Sequence, residues 1–324
     1  MKKEMIVSVT IIFLFFISVV LSLLILKEIK SESGKKKLQS LETLIKPAKI
    51  VFPPDSIAVL NIFSTISYVE ESSYFGLTRS GAIYWLEKLK SIEDEKNVKA
   101  VILRINSPGG TIGATQEIYN EILRLREKGK VVVVSMGDIA ASGAYYISCA
   151  ADYIVANPGT LTGSIGVIIA GMDLSELFKK LGISYNVIKS GKNKDILSPY
   201  RKMSPEEQKL LEEVVMDAYN QFLEAVSTGR KIPKENLRDI ADGRVFSGEK
   251  ALSNKLIDEL GDFETSIKVA REKAKISGKP NIIDLDRERN PIYGLFSLFG
   301  KKDVFQKINK LEGFEAPVLY ISPF

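Results

Sequence analysis

From residue 56 onward the chain alternates between short β-branched runs and longer amphipathic ones, and that alternation admits few architectures. Strand-length apolar runs separated by helical spacings predict an α/β domain. "SIAVLNIF" reads as a strand, and Ile83, Leu86, Leu89 and Ile92 then recur at helical spacing. "VKAVILRI" is apolar enough to be a strand buried on both faces, and the loop "NSPGG" follows it at once. Ile118, Ile122 and Leu125 mark the next helix, residues 131–135 the next strand and residues 142–150 another helix. Strand, glycine loop and helix thus occur twice in succession. "ADYIVANPGTLTGSIGVI" supplies two more short strands, residues 174–181 a helix, and "ISYNVIKSG" a further strand ending at Gly191. Ser204-Pro205-Glu206-Glu207 carries the capping serine, first-turn proline and first-turn acids of a helix start. Residues 265–275 read as a last helix.

Ahead of this domain, residues 5–26 form an uncharged run, "MIVSVTIIFLFFISVVLSLLIL". As a helix it spans about 33 Å against a hydrocarbon core of about 30 Å, so it is long enough to cross a bilayer. No small-x-small cleavage pattern follows it, which favours an uncleaved anchor over a removed signal. The expected organisation is an anchor over 1–30, a stalk over 31–55 that ends in Pro53-Pro54, a catalytic body over 56–280 and an extension over 281–324. Lys2 and Lys3 precede the apolar run while Lys27, Lys30, Lys35, Lys36 and Lys37 follow it, a bias that by itself puts the body in the cytoplasm. Most of the net charge of +5 belongs to this amino-terminal part. The nearly balanced remainder is a poor footprint for nucleic acid, which is not expected as a partner.

Chemistry enters at "MGDIAASGAYYISCA". Ser142 opens a helix after a strand, between Ala141 and Gly143, where its hydroxyl has room to meet a substrate. The chain contains no histidine, so a Ser-His-Asp triad is closed to it, and the commonest ligand of catalytic zinc is missing too. No metal or other cofactor is expected. The single cysteine, Cys149, excludes an intramolecular disulfide and reads as a small buried hydrophobe. Glycine loops at strand ends let backbone N–H groups turn toward a reacting oxygen: "SPGG" offers Gly109 and Gly110, and Gly143 follows the candidate nucleophile. The strongest remaining base for a serine hydroxyl is a neutral lysine amine. Bringing a lysine from about 10.4 to near 7–8 costs roughly 4 kcal/mol, within the reach of apolar burial. "VIKSGKNKDILSP" offers Lys189, Lys192 and Lys194, among which spacing does not choose, and a carboxylate, Asp195, stands beside the last.

"NSPGG", "GDIAASGAYYISCAAD", "GTLTGSIGV" and "SGKNKDILSP", in this order, resemble the signal peptide peptidase A family in its short, membrane-anchored form; the likeness runs over about residues 56–265. The resemblance implies a Ser-Lys dyad serine endopeptidase on the Clp protease/crotonase-like fold of repeated ββα units, with an N-terminal transmembrane helix. It further implies Ser142 as nucleophile, Lys194 as general base, Ser164 as the hydroxyl that holds the lysine, and Gly109 and Gly143 as oxyanion-hole donors. The substrates it implies are remnant signal peptides and other apolar segments. It also implies a catalytic domain held at the cell membrane on the extracytoplasmic side and a homo-oligomer whose active sites draw on neighbouring subunits. Two other readings keep the fold: a thioester enzyme of the crotonase kind, and a tethered scaffold without activity. The apolar end "APVLYISPF" calls for a groove or a partner.

Overall fold

The computed structural model describes residues 52–69, 71–72 and 79–286. The expected anchor, most of the stalk and nearly all of the extension, with its apolar end, lie outside these residues. Among the described residues no helix is long and apolar enough to cross a membrane.

Strand β1 (Ser56–Phe63) leads through the short antiparallel pair β2 (Glu71–Ser72) and β3 (Arg79–Ser80) to α1 (Ala82–Glu93). Then come β4 (Val98–Ser107), α2 (Ile112–Glu127), β5 (Val131–Ala141) and α3 (Gly143–Ser148). β6 (Tyr153–Ala156), β7 (Leu161–Gly163), α4 (Ser175–Lys180), α5 (Pro205–Arg230) and α6 (Lys234–Leu237) follow. The described chain closes with β8 (Val245–Ser247), α7 (Gly248–Ser253), β9 (Glu259–Leu260), α8 (Phe263–Lys273) and β10 (Asn281–Asp284).

The main sheet runs β10-β1-β4-β5-β6-β9 and is parallel throughout. Its inner strands, β1, β4, β5 and β6, are covered on both faces. Ile57, Val59, Ala100, Ile102, Val133 and Val155 form one buried face with Val269 and Ala270 of α8. The alternate residues Ala58, Leu60, Val101, Leu103 and Val134 are equally buried and face the opposite side, where α1 and α2 pack on each other. Each such valine, leucine or isoleucine stabilises the fold by roughly 1.5–3 kcal/mol on burial. β5 outruns its partners. Its far end pairs with β7, Ile139 opposite Leu161 and Ala141 opposite Gly163, and β7 pairs antiparallel with β8. This side arm frames the candidate site.

Two expectations change. "ISYNVIKSG" forms no strand: the segment is irregular and most of its residues are exposed, because no other described strand lies alongside to accept its hydrogen bonds. Conversely, residues 281–284, expected in the extension, form β10 and hydrogen-bond to β1 as the sheet's edge. Four residues carry too little periodicity to announce a strand.

Candidate active site

β5 ends at Ala141 and α3 begins at Gly143, leaving Ser142 to make the turn alone. It does so at φ 52°, ψ −122°, a conformation that L side chains rarely adopt and that costs of order 1–3 kcal/mol. The surroundings hold it there. The Ser142 N–H donates to Gly163 O at 2.9 Å, and the Ser142 carbonyl accepts the Tyr146 N–H at 2.9 Å. α3 is itself locked in place by Tyr145, fully buried with its hydroxyl donating to Leu256 O at 2.8 Å. A strained strand-to-helix turn of this kind presents its side chain outward, the geometry a nucleophile needs. Ser142 lines a cavity of about 590 Å³ together with Gly110, Gly143, Thr115, Ser164 and Asp242. Ile112, Tyr146, Val167, Ala218 and Phe222 give that cavity an apolar wall. Tyr146 meets Tyr119 edge-on at 4.9 Å and Phe222 at 5.1 Å, so the wall is braced from α2 and α5.

The two glycine loops meet at this serine. The pairing of β4 with β5 shifts register between Ile105 and Ser107, so that Ser107 stands opposite Ala140, and Asn106 accepts the Ile139 N–H at 3.0 Å through Oδ1. The contact leaves no room for side chains. A methyl group on Gly109 would lie 2.9 Å from Ser142 Cβ, one on Gly110 1.9 Å from Ile66 O, and one on Gly143 2.7 Å from Thr115 Oγ1 and 3.1 Å from Gly110 N. Thr115 is buried and its hydroxyl has no hydrogen-bond partner among the described residues.

Gly109 and Gly143 were the pair implied by resemblance, and here the structure differs at one position. The Gly109 N–H donates to Ser107 Oγ at 3.2 Å, and Gly109 does not line the cavity. Gly110 does line it, and no acceptor for the Gly110 or Gly143 N–H exists among the described residues. Which of two adjacent glycines presents a free amide depends on which N–H the Ser107 hydroxyl accepts, and the doublet itself does not encode that.

Ser164 reaches the cavity from the end of β7 at φ 48°, its N–H held by Arg244 O at 2.8 Å. Asp242 stands at the same wall, gripped by Arg244 through Nε at 2.7 Å and Nη2 at 2.6 Å; the guanidinium lowers its carboxyl to about 2. Sequence reasoning missed Asp242, because nothing local marks it as facing Ser142. Cys149 is buried, and desolvation pushes its thiol up to about 12, which makes it inert as a nucleophile.

Lys194 lies elsewhere. It is exposed in a run of turns over residues 191–197, makes no ion pair among the described residues, and is not part of the cavity lining. The segment before it is unusually apolar for a surface, with Ile168 89% exposed and Ile188 fully so. Among the described residues no group of three His, Cys, Asp or Glu comes together that could hold a metal ion.

A family model for peptidase family S49 matches residues 124–277, and one for Clp protease matches residues 76–158. A Synechocystis sp. protein provisionally named a protease is 45% identical over 206 residues, which cover 64% of this chain and 73% of the relative. An Enterococcus faecium protein provisionally named signal peptide peptidase SppA is 38% identical over 221 residues, 68% of this chain and 64% of that one. The chloroplastic serine protease SPPA of Arabidopsis thaliana is 36% identical over 249 residues, and there the match spans 37% of a longer chain.

Proposed function

The chain belongs to peptidase family S49, a family of proteases, and from that membership we propose that it is a membrane-anchored serine endopeptidase acting on remnant signal peptides and similar apolar segments. Ser142 is the nucleophile and Lys194 the general base. The observation that carries the reading is Ser142 at positive φ in the wall of an apolar-sided cavity, flanked by two backbone amides that have no acceptor among the described residues. The neutral Lys194 amine takes the Ser142 proton, and Oγ attacks the scissile carbonyl. The N–H groups of Gly110 and Gly143 stabilise the resulting oxyanion. Collapse passes the proton to the leaving amine, and water then attacks the acyl-enzyme by the same route in reverse. Ser164 orients the lysine.

Lys194 of a neighbouring copy completes the dyad. The exposed apolar segment ahead of it is the surface that a homo-oligomer would bury, and the absence of Lys194 from the cavity lining within one chain agrees with delivery from another. Residues 5–26 anchor the enzyme, with its catalytic body on the extracytoplasmic side of the cell membrane, where released signal peptides remain.

The test is a phosphonylating probe followed by mass spectrometry of the detergent-solubilised protein, with cleavage of an apolar peptide measured alongside. The expected result is one adduct, on Ser142, and loss of both labelling and cleavage in Ser142→Ala. Lys194→Ala is expected to lose at least about 10²-fold in cleavage, the usual scale of general-base assistance. An adduct elsewhere, or a folded Lys194→Ala protein with full activity, overturns the assignment.

A further inference from the structure

The residue next to Lys194 is a carboxylate, and a carboxylate beside a catalytic lysine is a hazard: it stabilises the ammonium form and withholds the base. In the structure Asp195 does not serve Lys194 at all. Its carboxylate, 11% exposed, accepts from Lys189 Nζ at 2.6 Å and from Arg201 through Nε at 2.9 Å and Nη2 at 2.7 Å. Arg201 turns its other edge to Glu207, with Nη1 at 2.8 Å from Oε2 and Nη2 at 2.5 Å from Oε1. Glu207, 4% exposed, is the third residue of α5 and also accepts the Ser204 N–H at 2.9 Å in a capping box. The same helix contributes Ala218 and Phe222 to the Ser142 cavity some 11 and 15 residues, or about 17 and 23 Å, further along. Charge-assisted contacts therefore join the Lys194 turn to the start of α5.

The paired charges around that turn are Lys189 ahead of it, Lys192 and Asp195 on it, Arg201 after it, and Glu206 and Glu207 on α5; Asp173 and Lys202 stand nearby without an ion pair among the described residues, and the phenol of Tyr200 is also near Asp195. Lys192 pairs with Glu206 at 2.5 Å, and the other four paired charges meet as just described. Lys194 has no counter-ion among the described residues. We infer that Arg201 is a positioning residue for the base: with Lys189 it takes up Asp195 so that Lys194 keeps no counter-ion, and it ties the lysine's turn to the start of α5. This inference rests on the reading of Lys194 as base. Lysine could not substitute fully, since an ammonium lacks the planar fork that grips two carboxylates at once. In keeping with the geometry, Arg201 and Lys189 hold the Asp195 carboxyl well below the ordinary carboxylate range.

The experiment measures kcat and KM against pH for an apolar fluorogenic peptide, using the full chain in detergent and checking folding by circular dichroism. Because the neutral amine is the active form, activity climbs with pH, and a counter-ion for Lys194 displaces that climb to the alkaline side. Arg201→Met is expected to leave KM within about twofold, to lower kcat near pH 7.5 by about tenfold, and to move the rising limb about one pH unit alkaline. Arg201→Lys should fall between it and the wild type. Removing the carboxylate as well, in Asp195→Asn/Arg201→Met, should return the limb toward its original pH, an effect that loss of packing alone would not produce. If Arg201→Met does not fold, Asp195→Asn decides alone: its limb should stay or move to the acid side, and an alkaline movement refutes the inference. An unmoved limb in folded Arg201→Met, or a double variant no nearer the wild type, also refutes it. Lys194→Ala is run in parallel: if it stays active, the base assignment itself falls; if it is inactive while Arg201→Met is unshifted, only the role of Arg201 falls.

Discussion

A serine at φ 52° is held against its own preference, and what holds it also decides which neighbours are tolerated. Gly109, Gly110 and Gly143 are packed so closely at the turn that each excludes a methyl group for a different reason. At Gly143 the obstacle is a side-chain atom, Thr115 Oγ1, with the Gly110 amide just beyond. Gly143→Ala is therefore expected to destabilise the protein by about 1–3 kcal/mol through overpacking, and Gly143→Ala/Thr115→Ala to recover part of that loss, both read from denaturant midpoints. Equal destabilisation of the single and double variants would show that the backbone, not the hydroxyl, sets the limit. The residue types at this turn are plain in the sequence: a serine between small residues, a glycine after it, a glycine pair after an earlier strand. Which glycine offers its amide is not, because Ser107 engages one and leaves the other.

At the scale of elements, α5 begins where its sequence says it should. Ser204 accepts the Glu207 N–H at 3.2 Å while the Glu207 side chain accepts the Ser204 N–H, and Pro205 occupies the first turn. Its carboxyl-terminal half is buried through Phe222, Leu223, Ala225 and Val226, whereas Leu210, Val214 and Met216 nearer the start are exposed. Glu207 adds a dependence on acid. Arg201 lowers its carboxyl to about 2 from an ordinary 4.5, so its ion pair stabilises the fold fully above pH 4.5 and the contribution disappears as pH falls through 2. In thermal melts, Glu207→Gln should be less stable than the wild type at neutral pH and lose less on acidification between pH 4.5 and 2. Parallel melting curves across that window would show the pair to contribute nothing. The strand expected over "ISYNVIKSG" marks the limit of reading elements from pattern. Its alternation is adequate, but a strand exists only where another backbone supplies its hydrogen bonds, and within one chain none of those described does.

At the scale of the whole molecule, an apolar surface from Ile168 to Ile188 on a protein with a well-covered sheet calls for a cover, and the proposed cover is a second copy. Ile188→Asp should then lower both the assembled mass in light scattering and the cleavage rate; full assembly and activity in that variant would remove this face from the interface. A dyad shared between copies predicts more. Ser142→Ala and Lys194→Ala proteins, each inactive, should regain measurable cleavage when dissociated and reassembled together, since some sites then combine an intact serine with an intact lysine. No recovery in verified mixed assemblies would mean that both groups must come from one chain. The sequence by itself determined the α/β alternation, the strand that delivers Ser142, the capped start of α5 and the exclusion of histidine chemistry, because each of these rests on residue type and near-neighbour spacing. Only the tertiary structure decided that Gly110 rather than Gly109 faces the cavity, that Asp242 joins it, and that Asp195 is taken up by Arg201 with Lys189. These are contacts between groups whose partners depend on how the loops and side chains pack, and neither periodicity nor composition carries that information.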